Sequence, residues 1–280
     1  MRTTAIAILG VMAGMAMASG VAAAPSVERG DYLVNTIMGC GNCHTPQGPE
    51  GPMMDKALGG MMVENSEAFT AVAPNITPAS HIADWSDAEL ARAIREGIRP
   101  DGTLIGPPMP FEVYKGISDN DLASVVMYLR TIPAVDNDPG KSEYRIPLPP
   151  AYGPPVESVA EVPEGVTVEY GAYLAGPLGH CTVCHTPMGP DGRIQLDTLL
   201  GAGGMEFPGP WGVSVAANIT PVGLGGYTDA ELTDLIHKGV RPNGQRLLPP
   251  MPSGYLAGLK DDDVAALVLY LRSLEPKTAP

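Results

Sequence analysis

Aromatic residues are scarce in this 280-residue chain, at 5% of the total. A compact fold of short elements with so few rings needs something other than aromatic side chains to fill its centre. Positive charge is also short, with 17 Lys and Arg against 31 Asp and Glu for a formal net charge of −14. That balance excludes nucleic-acid binding, which needs clustered cations to displace phosphate counterions. Beyond the first two dozen residues no apolar run approaches the ~20 that span a bilayer. Cysteine is limited to four residues. What is abundant is glycine (34), proline (30) and small aliphatic residues, with 44% hydrophobic overall. The chain can therefore build a core, and long ordered loops should separate short elements.

The N-terminal segment reads as an export signal: Arg2, an apolar run from Ala5 to Met17, then small residues from Ser19 to Ala24. Cleavage after Ala23 is expected, giving residues 1–23 as signal peptide and a periplasmic product. Four cysteines in an oxidising compartment first suggest two disulfides, but their spacing points elsewhere. They read Cys40-Gly-Asn-Cys43-His44 and Cys181-Thr-Val-Cys184-His185, and Cys-x-x-Cys-His is the attachment signature of c-type haem. Two thiols at this spacing match the two vinyl groups of a porphyrin, and the following histidine is held under the iron as proximal ligand. Structural zinc does not call for a histidine directly after each second cysteine, and a thioredoxin-like pair calls for neither histidine nor duplication. Two covalent haems c are expected, using all four cysteines.

The halves repeat at a shift of 141 to 143 residues. Gly30-Asp31-Tyr32-Leu33 answers Gly171-Ala172-Tyr173-Leu174; Asn75-Ile76-Thr77-Pro78 answers Asn218-Ile219-Thr220-Pro221; Asp87-Ala88-Glu89-Leu90 answers Asp229-Ala230-Glu231-Leu232. Further on, Arg99-Pro100 matches Arg241-Pro242, Pro107-Pro108-Met109-Pro110 matches Pro249-Pro250-Met251-Pro252, and Tyr128-Leu129-Arg130 returns as Tyr270-Leu271-Arg272. A duplicated architecture is predicted: one domain over 24–132, a proline-rich semi-rigid linker over 133–166, and a second domain over 167–280. In each copy a first helix begins near Ser26 or Thr167. A middle helix opens on the capping boxes Ser86/Glu89 and Thr228/Glu231 and stops at Gly97 or Gly239. A last helix covers about Asp121–Thr131 or Asp263–Ser273. No convincing alternating strand is visible, so the expected class is all-α.

The sixth iron ligand decides the chemistry, because methionine sulfur raises the potential and closes the iron to added ligands. Met109 and Met251 fall 65 and 66 residues after their histidines, each within Pro-Pro-Met-Pro, where the rings fix the backbone. Met62 and Met205 also correspond across the repeat, in loops that align poorly. His81, His180 and His237 have no histidine counterpart in the other copy, which disfavours bis-histidine ligation. Asn75, Asn218, Arg99, Arg241 and Trp85 are candidate contacts to haem propionates or the pocket.

This order of motifs resembles the class I cytochrome c fold. It is similar, more narrowly, to the cytochrome c subunits of bacterial periplasmic dehydrogenases that oxidise alcohols, sugar acids or N-heterocycles. The resemblance covers nearly all of the mature chain. It implies His44 and His185 as proximal ligands, Met109 and Met251 as distal ones, and a close crossing of the helices carrying Gly30 and Tyr128, and Gly171 and Tyr270, in tandem class I cytochrome c domains. The chain differs from the commonest such subunit in having two haem motifs, not three, and no C-terminal membrane helix. The expected function is one-electron transfer from a partner dehydrogenase to a further cytochrome, carrier or oxidase, with no bond chemistry in this chain. A dihaem peroxidase or a sensor would need one open iron, whereas the repeat offers equivalent methionines to both.

Overall fold

In a computed structural model, which describes residues 24–279, the helix boundaries follow the capping residues. The predicted signal peptide, residues 1–23, lies outside the described residues. Ser26 and Thr167 each accept a hydrogen bond from a backbone N–H of the first turn, starting α1 (Val27–Asn35) and, in the second copy, α6 (Val168–Tyr173). The haem-motif turns are α2 (Gly41–His44) and α7 (Cys181–Cys184). Both predicted capping boxes form, opening α3 (Asp87–Glu96) and α9 (Asp229–Lys238). Gly97 and Gly239 close these two helices at φ 70° and 61°, in the left-handed region that glycine enters without a Cβ clash. Short turns α4 (Phe111–Tyr114), α8 (Pro221–Leu224) and α10 (Ser253–Leu256) precede or punctuate the long last helices α5 (Asp119–Thr131) and α11 (Asp261–Ser273).

The all-α expectation does not hold. Helix accounts for 36% of the chain and strand for 12%. The strands are antiparallel and local: β1 (Gln47–Gly48) with β2 (Gly51–Pro52), β3 (Met61–Asn65) with β4 (Phe69–Ala73), and β6 (Glu206–Gly209) with β7 (Gly212–Val215). A third strand, β5 (Glu143–Tyr144), adds to β4. The hairpins occupy the stretch between haem motif and Asn-Ile-Thr-Pro. There the chain must return to the site without a helix, and short segments with β-branched and aromatic residues pair locally. They lie half-exposed rather than on a core face, so the alternation that marks a strand in sequence is weak.

Within each copy the first and last helices cross in contact. A methyl group at Gly30 would sit 2.0 Å from the Ser124 carbonyl oxygen and 2.7 Å from Tyr128 Cβ; at Gly171 it would sit 2.0 Å from the Ala266 oxygen and 2.8 Å from Tyr270 Cβ. The close crossing implied by the resemblance is therefore present twice. Behind the last helices, Arg130 donates to the Ile82 and Trp85 carbonyls and pairs with Asp87, and Arg272 does the same with Leu224, Tyr227 and Asp229.

The two copies share one continuous apolar core that includes Leu33, Val125 and Leu129 of the first and Leu174, Val264 and Leu267 of the second. They meet with approximate two-fold correspondence. Tyr32 donates to the Asp263 carboxylate and accepts from Lys260 N at 3.0 Å; Tyr173 donates to Asp121 Oδ2 at 2.8 Å and accepts from Ser118 N at 3.0 Å. Tyr32 and Tyr173 occupy equivalent positions, as do Asp121 and Asp263, so each copy reaches into the other with the same pair. Gly116 lies against the Pro177 ring, and the equivalent Gly258 against Thr36.

The segment 133–166 is not a free spacer. Asn137 donates to the Gly59 and Gly60 carbonyls, Ser142 bridges the N–H and C=O of Val72, and β5 pairs with β4. Tyr144 donates to the Pro107 carbonyl and Tyr152 to that of Ile105. The strap therefore runs back over the first copy before entering the second.

Candidate functional site

Each haem motif is a single turn that places two half-buried cysteines and a half-buried histidine at the centre of its copy. None of the four cysteines is disulfide-bonded. Burial pushes the thiols of Cys40 and Cys181 up to about 12, opposite to the thiolate character a redox pair needs. Among the described residues no three His, Cys, Asp or Glu side chains gather to hold a metal ion by themselves, so the donors are not arranged as a closed zinc cage.

The histidines are oriented identically. His44 Nδ1 lies 2.8 Å from the Pro74 carbonyl oxygen and His185 Nδ1 2.7 Å from that of Ala217. Each contact fixes the tautomer with the proton on Nδ1 and turns Nε2, with its lone pair, away from the backbone. Burial lowers both imidazoles below the ordinary histidine value, favouring the neutral form that can ligate a metal. Two thiols plus one carbonyl-anchored imidazole on a single turn, found twice, fit covalent haem.

Met109 and Met251 are half-buried and pack against the core. Both follow a cis Pro-Pro bond. Met62 is 55% exposed, on the hairpin surface, and Met205 is half-buried beside the second hairpin. Of the remaining histidines, His180 packs edge-on against Tyr114, His81 edge-on against Trp85, and His237 lies 3.7 Å from Asp261.

The candidate propionate contacts separate into two groups. Asn75 directs both amide hydrogens to the Val135 and Asn137 carbonyls and accepts from Thr77; Asn218 donates to Lys277 and accepts from Thr220. These asparagines build the loop that carries Pro74 and Ala217, the carbonyls on which the histidines rest. Arg99 is half-buried and donates to Leu104 O at 2.5 Å, while Arg241 lies 3.5 Å from the Tyr227 hydroxyl. Trp85 packs against the core, and Tyr227 stands at the equivalent position in the second copy.

Several residues that shape the site were not singled out in the sequence. Tyr255 of the second copy reaches over Gly41 to Thr45, and Tyr114 of the first packs on His180, which precedes Cys181. Asn42 donates to Pro250 O, next to Met251. Cys184 is pushed up to about 11, mainly by burial and further by Cys43 of the other copy. The attachment turns therefore face one another across the interface. The repeat of Gly-x-Tyr-Leu was the only sequence signal for this face.

The chain is 30% identical over 273 residues to the fructose dehydrogenase cytochrome subunit of Gluconobacter japonicus, covering 90% of this chain and 53% of that protein. It is 27% identical to the gluconate 2-dehydrogenase cytochrome c subunit of Pantoea cypripedii, covering 100% of this chain and 66% of that one. Several of its relatives are cytochrome subunits. A further relative is a diheme cytochrome c-type of Cereibacter sphaeroides, 27% identical over 84% of this chain and 81% of its own length. No family model matches. The chain spans between half and two thirds of the two dehydrogenase subunits. Among the described residues no helix is long and apolar enough to cross a membrane.

Proposed function

We propose that this chain is a periplasmic dihaem cytochrome that accepts electrons singly from a partner dehydrogenase and passes them to a further carrier or oxidase. The cytochrome subunits among its relatives support an electron-transfer role. The observation that supports two haems is the repeated geometry of the His44 and His185 turns, each with its Nδ1 on a backbone carbonyl. In this reading the two domains are residues 24–132 and 167–280, joined by 133–166.

Haem c, when bound, supplies a one-electron ferric/ferrous couple. The work of the protein is positional. Cys40 and Cys43, and Cys181 and Cys184, would hold the porphyrin by thioethers. His44 and His185 present Nε2, and the carbonyls of Pro74 and Ala217 keep each ring from rotating and raise its basicity. Met109 and Met251, half-buried against the core, would supply sulfur as the second protein ligand to each iron and would exclude water and added ligands. The shared core holds both attachment turns in one body, so little rearrangement accompanies each electron. The net negative charge suits a basic partner at low ionic strength.

The test is haem stoichiometry with a reductive titration. Two haems per chain, two one-electron steps and no binding of carbon monoxide support the proposal. A single haem, or a high-spin iron that binds added ligand, contradicts it. The Cys40→Ala/Cys43→Ala variant should retain one haem.

A further inference from the structure

The loop that leads to Met109 is held from two directions. From within its own copy, Ile105 N bonds Gly97 O at 2.8 Å and Arg99 donates to Leu104 O at 2.5 Å. From the strap, residues 133–166, Tyr152 donates to Ile105 O and Tyr144 to Pro107 O, each at 2.8 Å. Gly106 is buried between these two carbonyls, and a Cβ there would come within 2.3 Å of the Tyr144 ring, so glycine is what lets the ring close on the loop. Past the methionine, Phe111 is fully buried and stacks on Tyr152 with ring centroids 5.0 Å apart. Two tyrosines therefore bracket Met109, one through the carbonyl two residues before it and one through the ring two residues after it.

The same strap is anchored to the loop on which His44 rests. β5 pairs Tyr144 with Phe69 of β4, their rings 5.7 Å apart, and β4 runs directly into Pro74, whose carbonyl meets His44 Nδ1. Asn75 grips the Val135 and Asn137 carbonyls at the start of the strap. Further along, the Tyr152 carbonyl receives the Lys115 ammonium. Burial pushes the Tyr152 hydroxyl up to about 12, so it stays protonated and able to donate at neutral pH. One segment thus ties the carrier of the imidazole to the carrier of the sulfur. A side chain whose backbone is fixed in this way can leave its position only by breaking those bonds, so it leaves less often.

We propose that Tyr144 and Tyr152 are positioning residues for Met109: the strap is a brace that keeps this sulfur on the iron of the first haem and so sets how often that site opens and where its potential lies. The proposal deepens the electron-carrier reading and rests on Met109 being a ligand. Because methionine sulfur raises the potential, loosening the brace lowers it.

The test is cyanide binding to the oxidised holoprotein, because cyanide reaches the iron only when the methionine leaves, with a redox titration of the same variants. Met109→Ala and Met251→Ala assign the two haems through their near-infrared bands. Tyr144→Phe and Tyr152→Phe keep the rings and lose one hydrogen bond each. Each should speed cyanide binding at the first haem about fivefold and lower its midpoint potential, while the second haem keeps its rate and potential. Tyr144→Ala/Tyr152→Ala should speed binding at least about tenfold, and if that variant fails to fold the two phenylalanine variants decide. An unchanged rate and potential at the first haem overturns the proposal. Equal changes at both haems, which general loosening of the fold would give, also overturn it. A parent protein without the Met109 band removes the ligation reading and the proposal with it, whereas an intact band with unresponsive tyrosine variants overturns the proposal alone.

Discussion

The middle helices of the two copies open on the same kind of capping box and close on a left-handed glycine, whereas the last helices start differently, α5 on a Ser118 cap and α11 on Lys260 without one. After each last helix the chain sets out on the same path. In the first copy, Val135 N approaches Thr77 Oγ1 and Asn75 grips the carbonyls of 135 and 137. In the second, Lys277 N approaches Thr220 Oγ1 and Asn218 grips the Lys277 carbonyl. From there the first copy runs on as a strap that pairs Glu143–Tyr144 with its hairpin edge. The elements around the two Cys-x-x-Cys-His turns thus correspond, while the contacts around them differ. Local capping and helix crossing belong to the repeat, and exposure belongs to what each copy packs against.

The heaviest loss should come where the copies are most alike. Gly30→Val and Gly171→Val each drive a side chain into a backbone carbonyl, and each should cost about 3 kcal/mol or more, read as a lower urea midpoint with reduced haem incorporation. Unequal effects would show that one crossing can relax and the other cannot.

The interface clamp should separate the copies. Asp121 also receives Arg29 Nε at 2.7 Å, whereas among the described residues no arginine bonds Asp263, whose carboxyl burial raises above the usual aspartate value. Tyr32→Phe should therefore destabilise more than Tyr173→Phe, within the roughly 1–3 kcal/mol expected of a buried polar group left without a partner. The sign for Asp263 follows from its raised value. The folded protein holds this proton longer than the unfolded chain, so the stabilisation is full below pH 3.8 and is lost as pH rises through the folded value. Urea midpoints of the parent should fall relative to Asp263→Asn across that window, and parallel curves would contradict the assignment.

The strap gives a one-sided effect. Asn137→Ala removes two hydrogen bonds to the Gly59 and Gly60 carbonyls and should cost about 1–2 kcal/mol. It should speed amide exchange at Val72 and leave Val215 unchanged. The smallest change is expected from Glu89→Gln and Glu231→Gln. Hydrogen bonds from Ser86 and Thr228 lower these exposed carboxyls, so their stabilisation is present above the ordinary glutamate value of 4.5 and is lost as pH falls through the folded value. The two variants should lose pH dependence equally.

Much of this was legible because the signals are short-range. Ser26, Thr167, the two capping boxes and Gly97 and Gly239 each act within one helical turn, so sequence alone located those ends. Asp119–Thr131 and Asp261–Ser273 start only two residues earlier than the aliphatic spacing indicates. The hairpins were illegible because Met61–Asn65 and Phe69–Ala73 gain order from pairing with each other and with Glu143–Tyr144, far along the chain. The proline content of 133–166 signals extension but not where an extended segment lies, and the bonds that dock it come from Asn75, Asn137 and Tyr144. Tyr32 and Tyr173 were visible as a repeated motif. Their role depends on Asp263 and Asp121 arriving from the opposite copy, which no window of sequence contains.

The central claim is that both copies hold a haem closed by methionine. The direct test is the weak methionine-sulfur-to-ferric-iron band in the near-infrared spectrum of the oxidised holoprotein, before and after Met109→Ala and Met251→Ala. Each single substitution should remove about half of the band and the double substitution all of it. A band absent from the parent, or one untouched by either substitution, would contradict the claim.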